Sequence, residues 1–150
     1  SLPAASNSRG DQGAINLNQQ AVWLACCGLG TVPHGTSHGI GYILGSMCAI
    51  PHGYTSCVML PAVLEWNATV LGARSYAIAD AMGQGSQDAH VAVKTLISDL
   101  GLPTSLRQLD VPRYLLQQIA ERAYAHPIVG KNPRPIASSA DVSAILEIAW

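Results

Sequence analysis

AHVAVKTLISDL, residues 89–100, sets Ala89, Ala92, Val93, Leu96, Ile97 and Leu100 at i, i+3, i+4, i+7, i+8 and i+11. Those positions share one face of an α-helix. Ser86 can cap its start, and Gly101 with Pro103 stops its end. The pattern repeats downstream. Asp110 precedes Val111 and Pro112, a cap followed by a first-turn proline, and Leu115, Ile119 and Ala123 form the apolar face of that helix, which stops before Pro127. After the rigid extended link KNPRPI, Ser139 and Asp141 begin a last helix with Val142, Ile145, Leu146 and Ala149 on one face. Upstream, helices are expected from Ala14 to about Cys27, His34 to about Cys48, Tyr54 to Asn67 and Gly72 to Met82. Pro61 inside the third of these removes a backbone donor and predicts a kink or restart. Helices without strand alternation make the chain an all-α bundle. Residues 1–13 read as an irregular leading segment, and residues 14–150 as a single helical domain.

The chain has 150 residues, enough for a core without disulfide or metal staples. Charged residues are 11% of it, against about 25% in an ordinary soluble domain. A surface so thinly charged predicts that part of it is covered, by a second copy of the chain or by another domain. Eight basic and nine acidic residues leave no excess for a nucleic-acid groove. No apolar run reaches the roughly 18–20 residues of a membrane span. Cys26, Cys27, Cys48 and Cys57 lie in apolar stretches with no C-x-x-C among them, as expected of buried free thiols in a reducing cytosol. The start lacks the basic and apolar regions of a signal peptide, so a cytoplasmic location is expected.

Chemistry concentrates between His34 and His52. His34 and His38 are four apart, so on a helix they share a face and two imidazoles can converge on one ion. His52 follows Pro51 at a turn or helix start and can reach the same place. Spacing alone leaves two readings open, a metal site and ordinary packed or capping histidines. His90, opening an amphipathic helix, and His126, ending one, read as structural. Gly39-Ile-Gly41 follows no strand and is not a dinucleotide loop. No nucleophile elbow and no P-loop occur.

SHGIGYILG (37–45), IPHGYTSCVMLPAVLEWNA (50–68) and NPRPI (132–136) carry a resemblance. In that order they are similar to the C-terminal part of the iron-containing alcohol dehydrogenases, closest to the branch with maleylacetate reductase. The resemblance implies the helical C-terminal domain of the iron-containing alcohol dehydrogenase and dehydroquinate synthase-like fold. In that family an N-terminal α/β domain binds NAD(P), and a divalent metal, Fe²⁺ or Zn²⁺, lies in the cleft between the two domains. Its metal ligands are an Asp, a His four residues later and two further histidines, and the resemblance carries the last two onto His38 and His52. The second histidine of the family's H-x-x-x-H, beside substrate and nicotinamide, is Tyr42 here. A phenol donates a hydrogen bond but shuttles protons poorly at neutral pH. His34, one turn earlier, is an extra histidine that can compensate, so Tyr42 and His34 are the substrate-proximal candidates.

The D-x-x-x-H pair has no counterpart upstream, since Asp11 is followed by Ala14 and Ile15, and the NAD(P)-binding domain is absent from these 150 residues. The resemblance therefore implies part of an NAD(P)-dependent oxidoreductase, with hydride transfer to or from a carbonyl carbon and no turnover by these residues alone. Metal binding is expected to be weak or absent. The expected partner is the nucleotide-binding domain or a second copy. The alternative is a stand-alone helical module that binds a small molecule or self-associates without catalysis.

Overall fold

The computed structural model describes residues 2–7 and 10–150. Among them helix follows helix and there is no strand. The chain forms two units, Ser1–Pro33 and His34–Trp150. The expected single domain from residue 14 is thus divided at the glycine-rich turn that ends in Pro33.

The first unit holds α1 (Leu2–Asn7) and α2 (Gln12–Cys26). An irregular segment was expected over residues 1–13. Instead, Pro3 sits in a first turn, where its missing N–H costs nothing, and two alanines follow, so residues 2–7 coil. Asp11 caps α2, its carboxylate accepting from the Ala14 N–H at 3.0 Å. Only Ala14 of α2 is buried; Leu17, Val22, Trp23 and Leu24 are exposed. Cys26 and Cys27, expected to be buried, are exposed at the end of this helix. Cys48 and Cys57 in the second unit are half-buried, and burial pushes both thiols up.

The second unit holds α3 (Thr36–Cys48), α4 (His52–Trp66), α5 (Ala68–Leu71), α6 (Ala73–Ala81), α7 (Ala89–Asp99), α8 (Leu116–Tyr124) and α9 (Ser139–Ala149). Helix α4 is central, packed against α3, α7 and α9, while α8 lies on α9 and α3. The core joins Ile40 and Leu44 of α3, Val58, Met59 and Ala62 of α4, Ile119 and Ala123 of α8, and Val142, Ile145 and Leu146 of α9. Of the expected apolar faces, Ile119 and Ala123 of α8 and Val142, Ile145, Leu146 and Ala149 of α9 are buried, whereas Leu115 lies just before α8 and is half-buried.

Pro61 does not break α4, which is continuous through it. The proline ring itself is buried with Val58, Met59, Ala62 and Val63. Burial on several sides offsets the roughly 3 kcal/mol that an interior proline costs. The expected Gly72–Met82 helix begins at Ala73, because Gly72 turns the chain at φ +51°. Two expected caps are displaced. Ser86 does not cap α7. The buried Ser75 hydroxyl on α6 accepts from the Ala89 N–H at 2.9 Å and donates to Asp88 at 3.3 Å. Asp110 starts no helix; it adopts φ +55° after a 3-10 turn at Arg107–Leu109, and α8 follows a second 3-10 turn at Arg113–Leu115. Only α9 starts as expected, with a capping box between Ser138 and Asp141.

Candidate metal and substrate site

His38 lies in the first turn of α3 and His52 is the first residue of α4, and the close crossing of the two helices, where Gly41 faces Thr55, brings the imidazoles together. Their ring centroids are 5.4 Å apart. Two imidazoles bound to one ion at the usual 2.0–2.1 Å Zn–N length would place their centroids about 5 Å apart at a tetrahedral angle. The observed separation is close to that value. The αL conformation of Ala49 (φ +54°) and the extended Pro51 turn the chain between the two helices. His34, just before α3, stands beside His38 with centroids 4.6 Å apart. Among the described residues, however, no three His, Cys, Asp or Glu side chains form a group that could hold a metal ion. The second unit brings together two of the four ligands that the resemblance implies.

His38 is half-buried. Burial first, and then the neighbouring charges of His34 and His52, hold its pKa below the usual histidine value. The ring therefore stays neutral to lower pH, in the form whose nitrogen lone pair can bind a cation.

Tyr42 follows His38 by one turn of α3, with centroids 6.2 Å apart and rings edge-on. Its phenol ring lies nearly parallel to His52, at 5.7 Å and 18°. It is also 5.9 Å from His126. All four candidate residues, His34, His38, Tyr42 and His52, thus meet at this end of α3 and α4. His126, read from sequence as a helix-terminal residue only, meets them too. No local signal marks it, because its approach depends on how the turn after α8 packs on α3.

The glycines of α3 account for that packing. A Cβ on Gly39 would lie 2.5 Å from Val129 Cγ2 and 3.3 Å from the Val129 backbone nitrogen. Val129 is fully buried, and its carbonyl accepts from the buried Thr36 hydroxyl at 2.9 Å. A Cβ on Gly41 would meet the Thr55 hydroxyl of α4 at 3.0 Å. These close approaches are made by the protein's own turn and helix and not by a cofactor. Gly39→Ala is accordingly expected to destabilise the second unit. The clash costs about 1–3 kcal/mol, which outweighs the roughly 1 kcal/mol that alanine gains over glycine inside a helix. Urea denaturation measures it, and an unchanged or raised midpoint would contradict the packing described.

The family described as Fe-containing alcohol dehydrogenase family, C-terminal, matches residues 1–150. Lactaldehyde reductase of Escherichia coli (strain K12) is 30% identical over 150 residues, covering 94% of this chain and 39% of that protein. Maleylacetate reductase 1 of Rhodococcus opacus is 34% identical over 128 residues, covering 85% of this chain and 34% of that protein. The crystal structure of maleylacetate reductase from Agrobacterium tumefaciens superposes with a TM-score of 0.85 at 27% identity, covering 99% of this chain and 41% of that one. This chain spans about two fifths of the length of such relatives.

Proposed function

The chain belongs to the Fe-containing alcohol dehydrogenase family, matching its C-terminal part, and from that premise we propose that it supplies the helical, metal-holding half of an NAD(P)-dependent oxidoreductase acting on carbonyl compounds. The observation that carries this is the approach of His38 and His52 to 5.4 Å with Tyr42 beside them. When bound, a divalent metal polarises a carbonyl oxygen, and a nicotinamide exchanges hydride with the carbonyl carbon.

Each residue of the chain then has a part. His38 and His52 hold the metal through neutral imidazole nitrogens. Tyr42, stacked on His52, donates its O–H toward the oxygen of the reacting carbonyl. His34 packs on His38 and limits the orientations that its ring can take. The remaining ligands and the nucleotide site come from the partner of this half, a nucleotide-binding domain that covers the open side of the cluster. Tyr42 is 41% exposed and His52 is exposed, so that side is accessible.

Zinc titration of the chain, followed through its histidine side-chain NMR signals, tests the reading. One weak site is expected, with His38 and His52 shifting together as Zn²⁺ is added. Zn²⁺ that moves neither ring, or that moves only one of them, would overturn the assignment.

A further inference from the structure

We propose that the groove between the last turn of α4 and the outer face of α7 is a second binding site of this chain, separate from the histidine cluster, and that its ligand is a free amino acid with a cationic side chain. The proposal is independent of the reading above.

Glu65, in the last turn of α4, stands on one side of this groove. Two adjoining rows of α7 line the other: His90 and Lys94, one turn apart, and Val91, Thr95 and Asp99, each one turn from the next. The groove offers about 440 Å³, within the roughly 300–1,000 Å³ of small-molecule sites. Its walls are fixed, because α7 is packed on α4 with Ala89, Ala92 and Ile97 buried. Recognition groups carried on two packed helices keep their spacing, as a site requires.

The charges select the ligand. Residues 12–64 carry no Asp, Glu, Lys or Arg, yet three formal charges meet in this groove, the carboxylates of Glu65 and Asp99 and the ammonium of Lys94. Among the described residues the one ion pair is Arg113–Glu147, so none of the three is neutralised by a neighbour. Helix α7 polarises the groove in the same sense: its start, with His90 and Lys94, favours an anion, and its end, with Asp99, favours a cation. His90 Nδ1 is shielded from water and has no hydrogen-bond partner among the described residues, a cost that turning the ring onto a ligand carboxylate removes. Lys94 and Asp99 are five residues apart, about 7.5 Å along the helix axis. The complementary ligand therefore carries one carboxylate, for Lys94, and two cationic groups separated by several carbons, for Asp99 and Glu65. Val91 and the Thr95 methyl group receive the carbon stem between them. A phosphate or dicarboxylate would meet like charge at Glu65 and Asp99, and a plain diamine would meet it at Lys94.

The test is an NMR titration of the 15N-labelled chain, without metal and at low ionic strength, with L-lysine, norleucine and cadaverine. Norleucine has the same carbon chain as lysine without the side-chain ammonium, and cadaverine is the diamine without the carboxylate. L-Lysine is expected to bind roughly two- to fivefold more tightly than either, the factor corresponding to one exposed ion pair, and to shift the α7 amide signals from His90 to Asp99. Added salt is expected to weaken it. Lys94→Met is expected to erase the preference for lysine over cadaverine, and Glu65→Gln combined with Asp99→Asn the preference over norleucine. All three side chains are exposed, so the variants should keep the fold, which circular dichroism checks. Unmoved α7 signals, equal affinity for the three probes, or preferences that survive these substitutions would overturn the proposal. Because no metal is present, a negative result here leaves the zinc response of His38 and His52 to be judged separately.

Discussion

His38→Ala is expected to abolish most of the zinc binding by this chain, and His52→Ala to do the same. The two imidazoles are 5.4 Å apart and contribute one nitrogen each. Removing either takes away one of the two proposed ligands and leaves the ion the other one, with only His34 nearby. Loss of a mere supporting partner costs a metal site roughly 10–100-fold in affinity, and loss of one of two ligands should cost at least as much. The variants should fold, because both positions lie at a solvent-accessible end of the helix pair and outside the core. His90→Ala is the control. That residue is on α7, in a separate groove with Glu65 and Lys94, and its removal should leave zinc affinity unchanged. Calorimetric titration separates these outcomes. Equal affinities for His38→Ala and His90→Ala would mean that the metal, if bound, is bound elsewhere.

The parts of this site that were legible in the sequence are those fixed by helical spacing. His38 and Tyr42 are one turn apart, so any helix over residues 36–48 brings them to one side. Pro51 before His52 marks a helix start, and the structure begins α4 there. Parts that depend on tertiary contact were not legible. His126 has no periodic relation to α3, and the packing of Val129 against Gly39 with the Thr36–Val129 hydrogen bond brings it to Tyr42. The glycines of α3 signal that something must come close, but not what. In the fold, the faces of α8 and α9 followed from periodicity. The cap of α7 did not, because its donor-acceptor partner is Ser75, fourteen residues before Ala89 and on another helix. Pro61 illustrates the same competition: a local rule for breaking a helix was overridden by burial of the residues on either side of it.

Asn67→Ala is expected to lower the stability of the second unit by about 2–4 kcal/mol. Asn67 ends α4 and is 4% exposed. Its amide nitrogen donates to Asn132 Oδ1 at 3.1 Å, and its oxygen accepts from Asn132 Nδ2 at 2.7 Å and from the Arg134 N–H at 3.3 Å. The NPRPI segment is thereby latched to α4. Arg134 adds to the latch, its guanidinium stacking on Trp66 at 3.6 Å and donating to the Trp66 carbonyl at 3.0 Å. Alanine removes all three bonds of the Asn67 side chain and leaves partly buried polar groups of Asn132 and Arg134 without their partner, which costs more than the bonds themselves contribute. Asn67→Asp is expected to be destabilised as well, because one carboxylate oxygen still accepts from both partners while the other faces the Asn132 Oδ1 acceptor across 3.1 Å and puts a charge at a buried position. Urea denaturation orders the three proteins, and an alanine variant within about 1 kcal/mol of the parent would contradict the latch. The latch lies at the opposite end of α4 from His52, a helix of 15 residues and therefore about 22 Å long. Asn67→Ala should thus leave the zinc response of His38 and His52 intact at temperatures where the protein remains folded. That result would separate the residues that hold this bundle together from those that act at its open end.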